Sequence, residues 1–568
     1  MSIVRRLKPS IVSSVLARIF LAPRGFLRGM WRVGKLSVPD QEDLERYKAW
    51  FDRSTIITKG AAPEKVFLIA SFMPLSYCIK VEGLLGHAMC QRGYKVVVVT
   101  NADCQSVVRQ YHELINGFEV LILDDYLSLG SIFRLGNSLK NVLSSHGDLL
   151  KKVKELRYRN AHIGLHSLAT LSAGNDVELT TANATNSSKL KRILARSVFL
   201  VDAATSLVKQ LSPSLVLSME KGFVGTSELF YATINNDIRY VQWTGCHEPN
   251  SIMFKGYDWS NFREHPFSIS DKNWDRIKEL PWSDGYSEEV MNQFRRGYTE
   301  GQWFKYKNLT ANQHESDKLS LMKELRLDPS KKVAVIYSHI LNDANLFYGQ
   351  DLFAGGYEEW LVETVRAAES NKSVNWILKL HPANMYRNPS LASSRKYGEL
   401  QALEKAFKKV PDFLTVVYPD NSISPLSFFG ITDYGITVRG TVGLELPCFG
   451  IPALTAGTGR YSEKKFTIDS SSCEEYLSKI QHIEKIPSLT QDQVQLAQRY
   501  AFHVFQVRPA RYSGAFTDDY RIPQGYFRRR DVNLDTTTMK EVLAHPQIEK
   551  MIAFLCSDAH DFLDNSYV

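Results

Sequence analysis

Short, uninterrupted runs of aliphatic residues recur along two stretches of the chain. The first stretch carries them at 65–72, 94–100, 118–123, 214–219 and 238–243, and the second at 332–338, 375–380, 413–418, 434–438 and 451–456. Uninterrupted apolar runs, unlike alternating ones, are typical of strands buried on both faces of a parallel sheet. Amphipathic helical patterns lie between or just before these runs, as at 358–370. The pattern therefore predicts an α/β protein with two doubly wound sheets in tandem.

The same patterns divide the chain of 568 residues into four segments. We predict a basic amphipathic arm at 1–50 and a first Rossmann-like domain at 51–300. A second Rossmann-like domain at 301–487 and a helical C-terminal extension at 488–568 follow. The extension is predicted to be helical because no further series of strand runs follows the second domain. The length of the chain also favours two cores over one.

Charge is concentrated at the N-terminus. The chain has 69 Lys and Arg against 61 Asp and Glu, and residues 1–39 hold eight of the basic residues and no acidic one, so the remainder is balanced. Apolar residues lie between these charges, a pattern that favours contact with an anionic membrane surface. A helix packed against the body would give the same pattern. No uncharged run in the arm is long enough to span a membrane, and the balanced body argues against nucleic acid as a partner.

The seven cysteines are scattered along the chain and form no C-x-x-C pair. Such spacing argues against a disulfide scaffold or a zinc site and fits a reducing, cytoplasmic compartment. We expect these thiols to act mainly as small apolar side chains.

The strand run at 375–380 ends in the sequence LKLHP, which contains Lys379 and His381. Ligands of open α/β sheets lie beyond the carboxyl ends of the strands. An ammonium and an imidazole at that position suit a phosphate or diphosphate. The alternative is a structural histidine bonded to a backbone carbonyl, with the proline ending the strand. Two other His-Pro pairs, at 265–266 and 545–546, follow no predicted strand and are assigned no function.

Two glycine-containing loops are predicted at the same edge of the second sheet. The run at 434–438 is followed by RGTVG, and the run at 451–456 by GTGRY. The first loop opens a helix, whose N–H groups would favour an anion. Glu445, one turn later, is placed to accept hydrogen bonds from ribose hydroxyls, although a carboxylate there also complements the helix dipole. We expect one nucleotide phosphate site, since neighbouring strand ends share an edge. Its predicted residues are His339, Lys379, His381, Arg439, Gly440, Thr441, Gly443, Glu445, Gly457, Arg460 and Tyr461.

Two motifs of the second domain carry a resemblance to a known family. LKLHP, followed later by TVRGTVGLELPCFGIPAL, resembles the capsule polysaccharide biosynthesis proteins, a group that includes transferases adding Kdo from CMP-Kdo. The tandem Rossmann-like domains look like those of GT-B glycosyltransferases. The resemblance implies a metal-independent bacterial enzyme that moves a sugar from a nucleotide-sugar donor to a surface polysaccharide or glycolipid acceptor. It also implies that His381 contacts the donor phosphate, that no cofactor is needed, and that the enzyme is peripheral at the inner face of the cell membrane.

The first domain is expected to hold the acceptor. Glu220 directly follows the fourth strand run and would face the cleft between the domains, where a carboxylate can take a proton from an acceptor hydroxyl. The alternative is a solvated loop acid paired with Lys221. Glu228 in the following helix, and Gly83 and Gly86 after the first strand, are predicted acceptor contacts.

Two other functions remain open on this architecture. A nucleotide-sugar 2-epimerase shares the two domains but needs no lipid-bound acceptor, which would leave the basic arm without a purpose. A non-catalytic glycan-binding or assembly protein would keep the architecture without turnover. Nucleotide release in the presence of acceptor extracts separates this last function from both enzymes.

Overall fold

The computed structural model describes residues 38–52, 65–115, 117–127, 149–173, 188–299, 316–341, 345–387, 394–513, 515, 517–521, 529–533, 538–564 and 566. Residues 1–37 of the predicted basic arm lie outside the described residues, as does the predicted domain boundary at 300–301. Within the described part of the chain, no helix is long and apolar enough to cross a membrane.

The strands of the described chain form two large sheets and one two-stranded sheet. In chain order they are β1 (Lys65–Ala70), β2 (Tyr94–Thr100), β3 (Glu119–Ile122), β4 (Leu215–Ser218), β5 (Arg239–Gly245), β6 (Ser251–Tyr257), β7 (Val333–Tyr337), β8 (Asn375–Lys379), β9 (Leu414–Val417), β10 (Tyr434–Thr437), β11 (Ala453–Thr455), β12 (Ala510–Arg511), β13 (Thr517–Arg521) and β14 (Arg529–Asn533). The ten strands predicted from the apolar runs are β1 to β5 and β7 to β11, and all ten are confirmed.

Helices connect the strands and cover the sheets. In chain order they are α1 (Val38–Asp52), α2 (Ser76–Gln91), α3 (Gln105–His112), α4 (Leu149–Glu155), α5 (Ile163–Ala173), α6 (Ser188–Leu211), α7 (Thr226–Ile234), α8 (Asp271–Ile277), α9 (Asp284–Thr299), α10 (Lys318–Glu324), α11 (Tyr357–Glu369), α12 (Asn384–Arg387), α13 (Gly398–Phe407), α14 (Pro425–Ile431), α15 (Val442–Cys448), α16 (Cys473–Gln481), α17 (Gln491–Phe502), α18 (Met539–Ala544) and α19 (Pro546–Leu555). Short 3₁₀ turns at Leu123–Tyr126, Asn345–Phe347 and Ile483–Lys485 and a π-helical turn at His503–Val507 are also present.

The first sheet has the strand order β12-β6-β5-β4-β1-β2-β3. Strands β1 to β5 are parallel, and β6 and β12 add an antiparallel edge. One face packs against α2, α3 and the C-terminal extension, and the other against α6 and α7. Strand β6 was not predicted, because Lys255 and Gly256 interrupt its apolar run. The structure buries that lysine against the carboxylate of Asp561, 2.8 Å away.

The second sheet is parallel throughout, with the order β11-β10-β7-β8-β9. This order repeats that of β1 to β5 in the first sheet, so the two Rossmann-like domains share one topology. In each, the first strand lies in the middle and the winding direction reverses beside it. In the second sheet the reversal falls between β7 and β10, where the following loops diverge and leave a crevice.

The C-terminal extension crosses back to the first domain. Helix α17 packs against α9 and α15, and β12 joins the edge of the first sheet beside β6. Met539 of α18 and Met551 of α19 are buried in the core of the first domain. The extension is helical over α17, α18 and α19 as predicted, but it also contains β12, β13 and β14. These strands were not predicted, because they are short and rich in Arg and Asp.

Residues 345–350 form a loop of the second domain that contacts the first domain. Phe347 of this segment packs against Gly222, and the hydroxyl of Tyr348 accepts a hydrogen bond from the side-chain amide of Gln242 in β5, 3.1 Å away. These contacts seat a loop of the second domain on the first.

Candidate functional site

A cavity of about 590 Å³ lies where the two domains meet. Most of its wall comes from the loops after β7, β8 and β10, which are neighbours in the second sheet. Gly245, Cys246 and His265 line it from the first domain, and Tyr298 lines it from α9. The cavity therefore opens at the strand ends where the winding of the second sheet reverses, the position at which such sheets bind ligands.

Most residues predicted for the phosphate site line this cavity. They are His339, Lys379, His381, Arg439, Gly440, Thr441, Glu445 and Arg460. Gly443, Gly457 and Tyr461 lie behind its wall. The Tyr461 hydroxyl donates to the carbonyl oxygen of Gly440, 2.6 Å away, and its ring occupies the space a Gly443 side chain would need. A Cβ on Gly457 would lie 2.6 Å from the carbonyl oxygen of Gln350, so this glycine permits close packing of two loops.

His381 is oriented by the loop that follows β8. Its backbone N–H donates to the hydroxyl of Ser338, 3.0 Å away, and its Nδ1 accepts the backbone N–H of Ala383 at 3.1 Å. Because Nδ1 is an acceptor, the ring proton of the neutral imidazole lies on Nε2. The side chain is thereby set up to donate from Nε2, the role that an oxyanion ligand needs.

Lys379 is the last residue of β8 and reaches the same cavity. Its ammonium lies over the ring of Phe428, 5.2 Å from the centroid. Burial alone lowers the pKa of Lys379 from 10.5 to about 8, with no carboxylate of the described residues acting on it. The site thus holds an ammonium without a carboxylate partner in the described part of the chain, which favours an anionic ligand.

His339 is held by the end of β10. Its Nε2 accepts the backbone N–H of Val438 at 3.2 Å and lies 3.0 Å from the hydroxyl of Thr437, which also accepts the N–H of Gly440. The ring stacks on Tyr357 with 4.5 Å between centroids. Burial lowers the pKa of His339 well below its usual value, so the imidazole is neutral with its proton on Nδ1. His339 therefore couples the loop after β7 to the glycine turn after β10.

The two arginines of the site differ in their surroundings. Arg439 donates to the carboxylate of Asp351 and to the carbonyl oxygen of Tyr348, and it is only 7% exposed. Its charge is largely compensated, and it ties the glycine turn to the segment that joins the domains. Arg460 lies over the ring of Phe267, 5.3 Å from the centroid, and lines the cavity beside His265.

Glu445 lies in the cavity wall but is already hydrogen-bonded. Its carboxylate accepts from the hydroxyl of Tyr298 and interacts with the hydroxyl of Thr441. Burial raises the pKa of this carboxyl group. A ribose hydroxyl at this position would share the carboxylate with Tyr298.

Glu220 does not line the cavity, because Tyr348 lies between them. Its carboxylate accepts the backbone N–H groups of Lys221 and Gly222 at 2.7 and 3.0 Å. The Tyr348 hydroxyl donates to Glu220 Oε1 at 3.2 Å and is also 3.2 Å from Gln242 Oε1. Burial raises the pKa of Glu220, which opposes its ionisation. Tyr348 is thus the group through which Glu220 reaches the cavity.

The predicted acceptor residues are not brought to the cavity. Glu228 is buried at the start of α7, where its carboxylate accepts the N–H of Gly225 at 2.6 Å and caps the helix. Gly83 and Gly86 lie inside α2, where a Cβ would meet the side chains of Tyr47 and Phe118 respectively. These glycines allow close packing of α2 and are not at a ligand surface.

Tyr348 and His265 are among the cavity residues that were not predicted. Tyr348 carries no local signal, since its position depends on contacts with residues more than a hundred positions away. His265 precedes a proline, which was a usable signal, but no predicted strand run lies directly before it. Its Nδ1 accepts the N–H of Phe267 at 3.1 Å, and its ring lies 4.9 Å from that of Tyr348.

Two Rossmann-like domains of one topology, with a cavity between them at the strand ends of the second, make up the GT-B architecture that the sequence predicted. Helices α18 and α19 return to the core of the first domain.

No protein-family model and no curated protein sequence matches the chain. Similar solved structures include the β-Kdo 2,4 transferase KpsC of Thermosulfurimonas dismutans, at 14% identity over 52% of this chain and 81% of that chain, with a TM-score of 0.32. A glycosyltransferase of Rickettsia africae has 10% identity over 78% and 93% of the two chains, with a TM-score of 0.25. A UDP-GlcNAc 2-epimerase of Neisseria meningitidis bound to UDP-GlcNAc has 11% identity over 78% and 96%, also with a TM-score of 0.25. Since these scores are low, the fold class rests on the two sheets and their strand orders.

Proposed function

We propose that this chain is a glycosyltransferase that moves a sugar from a nucleotide-sugar donor to a surface polysaccharide or glycolipid acceptor. The observation that supports it most is the gathering of Lys379, His381 and Arg460 in one cavity at the switch point of the second sheet. Donor groups of this kind suit the phosphates of a nucleotide.

The donor phosphates would lie beside Lys379 and His381. When the bond between sugar and phosphate breaks, negative charge builds up on the departing nucleotide. An ammonium and an Nε2–H held in place before the reaction stabilise that charge without reorganising. The interaction is stronger in a partly dry cavity than in water.

The acceptor hydroxyl would meet Tyr348. As the acceptor oxygen bonds to the anomeric carbon, its proton passes to the Tyr348 oxygen, and the Tyr348 proton passes to the carboxylate of Glu220, 3.2 Å away. The nucleotide leaves with the electron pair of the broken bond. Glu220 then acts as the base through the hydroxyl of Tyr348, and Tyr348 is the group that contacts the acceptor.

The basic arm supplies the proposed location. Residues 1–39 would hold the enzyme at the anionic inner face of the cell membrane, with about 1 kcal/mol from each Lys or Arg near the surface. A lipid-linked acceptor would then lie within reach of the cavity. Flotation of the full chain with anionic and with neutral vesicles tests this location, which binding to neutral vesicles alone would contradict.

A thermal-shift screen tests the donor site. We expect one of CMP, UDP, GDP, dTDP and CDP to raise the melting temperature, since a ligand at a hundred times its Kd adds about 2.7 kcal/mol of stability. H381A should lose the shift. H545A is the matched control, because His545 also precedes a proline but caps α19, where its Nδ1 accepts the N–H of Gln547. Failure of all five nucleotides to shift the protein, or an unchanged shift in H381A, would refute the assignment.

Turnover then decides between the enzymes. Nucleotide release together with a sugar-extended acceptor supports the transferase. Release with a free monosaccharide and no extended product identifies an epimerase-like reaction. Nucleotide binding without release in any acceptor extract identifies a non-catalytic assembly protein.

A further inference from the structure

A buried carboxylate lies behind the wall of the cavity in the second domain. Glu399 is the second residue of α13 and is only 1% exposed. It does not line the cavity, whereas Ser338 and His381 do. Because burying an acidic group without hydrogen-bond partners is costly, the partners of Glu399 show what its carboxylate does.

One oxygen of this carboxylate connects two loops. Glu399 Oε1 accepts the hydroxyl of Ser338, in the loop after β7, at 3.0 Å. The same oxygen accepts the side-chain amide of Asn384, the first residue of α12, at 2.8 Å. An acidic residue in the first turn of a helix also complements the helix dipole, but that role requires neither contact. The two contacts therefore give Glu399 a role outside its own helix.

The Ser338 hydroxyl extends this network to His381. Its proton is donated to Glu399, and its oxygen accepts the backbone N–H of His381 at 3.0 Å. Because a hydroxyl has one proton, the bond to Glu399 turns the oxygen lone pairs towards that N–H. Three residues later, the backbone N–H of Asn384 donates to the carbonyl oxygen of His381 at 3.1 Å. Glu399 thus fixes the turn 381–384 at both ends, through Ser338 and through Asn384.

This turn sets the direction of the His381 imidazole. Nδ1 accepts the backbone N–H of Ala383 at 3.1 Å, inside the same turn, which leaves the Nε2–H for a ligand. Ala383 is only 3% exposed, so the turn is packed against its surroundings. Misplacing a group at a reaction site by about 1 Å can lower the rate about 10²-fold. The position of the turn therefore matters to any phosphate that His381 contacts.

We propose that Glu399 is a positioning residue for the nucleotide phosphate site. It fixes the loops after β7 and β8 relative to each other and so keeps the Nε2–H of His381 in place for the phosphate. It acts through Ser338 and Asn384 and contacts no ligand itself. This role rests on the proposed nucleotide function, but the order of the turn can be measured without a ligand.

Hydrogen exchange of the full chain measures the order of the turn. The backbone N–H groups of His381 and Ala383 both donate hydrogen bonds within the network. E399L keeps an apolar side chain of similar size but offers no acceptor, so a peptide over residues 380–385 should exchange about tenfold faster. E399Q should exchange like the parent chain, because its amide oxygen can accept from both Ser338 and Asn384.

Calorimetric titration measures the effect on the site. The probe is whichever of CMP, UDP, GDP, dTDP and CDP gives the largest thermal shift. E399L should raise its Kd about tenfold, since two buried hydrogen bonds behind the site lose their acceptor, and E399Q should raise it less than about threefold. Added to H381A, E399L should raise the Kd no more than about twofold, because Glu399 acts through His381.

E228L is the matched control. Glu228 is also a buried glutamate in the first turn of a helix, and its carboxylate also accepts a serine hydroxyl, that of Ser197. It lies in the first domain and does not line the cavity. E228L should lower stability in urea unfolding and leave the nucleotide Kd within about twofold of the parent value, because its lost contacts do not involve the turn.

N384A gives a second route if E399L does not fold. It removes the 2.8 Å hydrogen bond from Asn384 and keeps the buried carboxylate with its Ser338 contact. It should raise the nucleotide Kd about fivefold, as the loss of one buried hydrogen bond predicts. An unchanged Kd in N384A would contradict the role of Glu399.

Four further results would overturn this role. They are an unchanged exchange rate or Kd in E399L, an equal rise of Kd in E228L, an equal rise in E399Q, and a further tenfold rise when E399L is added to H381A. The last result would show a route to the site other than His381. If none of the five nucleotides binds the parent chain, the proposed function fails, and the exchange of E399L against E228L still decides whether Glu399 orders the turn.

Discussion

If the donor phosphates lie beside Lys379 as proposed, nucleotide binding should be sensitive to pH in a range where most side chains do not titrate. Burial lowers the pKa of its ammonium from 10.5 to about 8 in the free protein. A phosphate beside it favours the charged form and raises that pKa again. Binding should therefore take up a proton, and the nucleotide affinity should be fully present below pH 8 and be lost as the pH rises through 8 towards the pKa of Lys379 in the complex.

The size of the effect follows from the charged fraction. With a pKa of about 8, roughly 90% of Lys379 is protonated at pH 7 and roughly 10% at pH 9. If only the charged form binds phosphate, Kd should rise about tenfold between pH 7 and pH 9. His339 stays neutral over this range, since burial lowers its pKa well below its usual value.

Titration calorimetry at pH 7, 8 and 9, in buffers of different ionisation enthalpy, measures both Kd and proton uptake. K379R should bind with little dependence on pH, because a guanidinium remains charged throughout. K379M should bind nucleotide more weakly, and its Kd should not depend on pH in this range. A flat profile in the parent chain, or the same slope in K379M, would show that Lys379 does not contact the phosphate.

Two further predictions concern the junction of the domains. Y348F and E220Q should each lower turnover about 10²–10⁴-fold while the Kd for nucleotide changes less than about twofold, because both residues act on the acceptor proton. Stopped assays with acceptor extract measure turnover, and parallel calorimetry measures the Kd. A loss of nucleotide affinity as large as the loss of turnover would contradict the assignment. G222A should destabilise the protein by about 1–3 kcal/mol in urea unfolding, since its Cβ would lie 1.6 Å from the ring of Phe347. G430A is the control and should be neutral or stabilising, because a Cβ at that helical position has no neighbouring atom within 4 Å.

The strands were predictable because parallel sheets bury both faces. Each of β7 to β11 requires apolar residues at successive positions, and the resulting runs are visible without any knowledge of tertiary contacts. The strand order was not visible. The edge that carries the site was still predictable, since parallel strands place all their carboxyl ends on one edge whatever their order, but the position of the crevice between β7 and β10 depends on the strand order.

The residues of the site were predictable to the extent that the strand ends carry them. Lys379 and His381 follow β8 directly, and Gly440 follows β10, so their positions depend on local sequence alone. The roles of Gly443 and Gly83 could not be predicted from local sequence. A glycine that admits a ligand and a glycine that admits a neighbouring side chain have the same appearance in sequence, and here Tyr461 and Tyr47 occupy the space.

Long-range pairs account for the remaining differences. Arg439 was expected to bind phosphate, but Asp351, 88 residues earlier in the chain, takes up much of its charge. Glu220 was expected at the cavity surface, but Tyr348, 128 residues later, covers it. Neither partner has a pattern that reveals the contact, because each sits in a loop whose path depends on the packing of both domains.

The docked segment at 345–350 gives the proposed reaction a dependence on domain closure. Tyr348 belongs to the second domain, whereas Glu220 and Gln242 belong to the first, so the hydrogen bonds among them exist only while the segment is seated. Any opening of the cavity that separates the domains also removes the proton acceptor from Tyr348. In the open state, water could reach the donor, but the Tyr348–Glu220 pair would not be assembled to take its proton. The contacts that close the cavity would therefore favour transfer to the acceptor over hydrolysis of the donor.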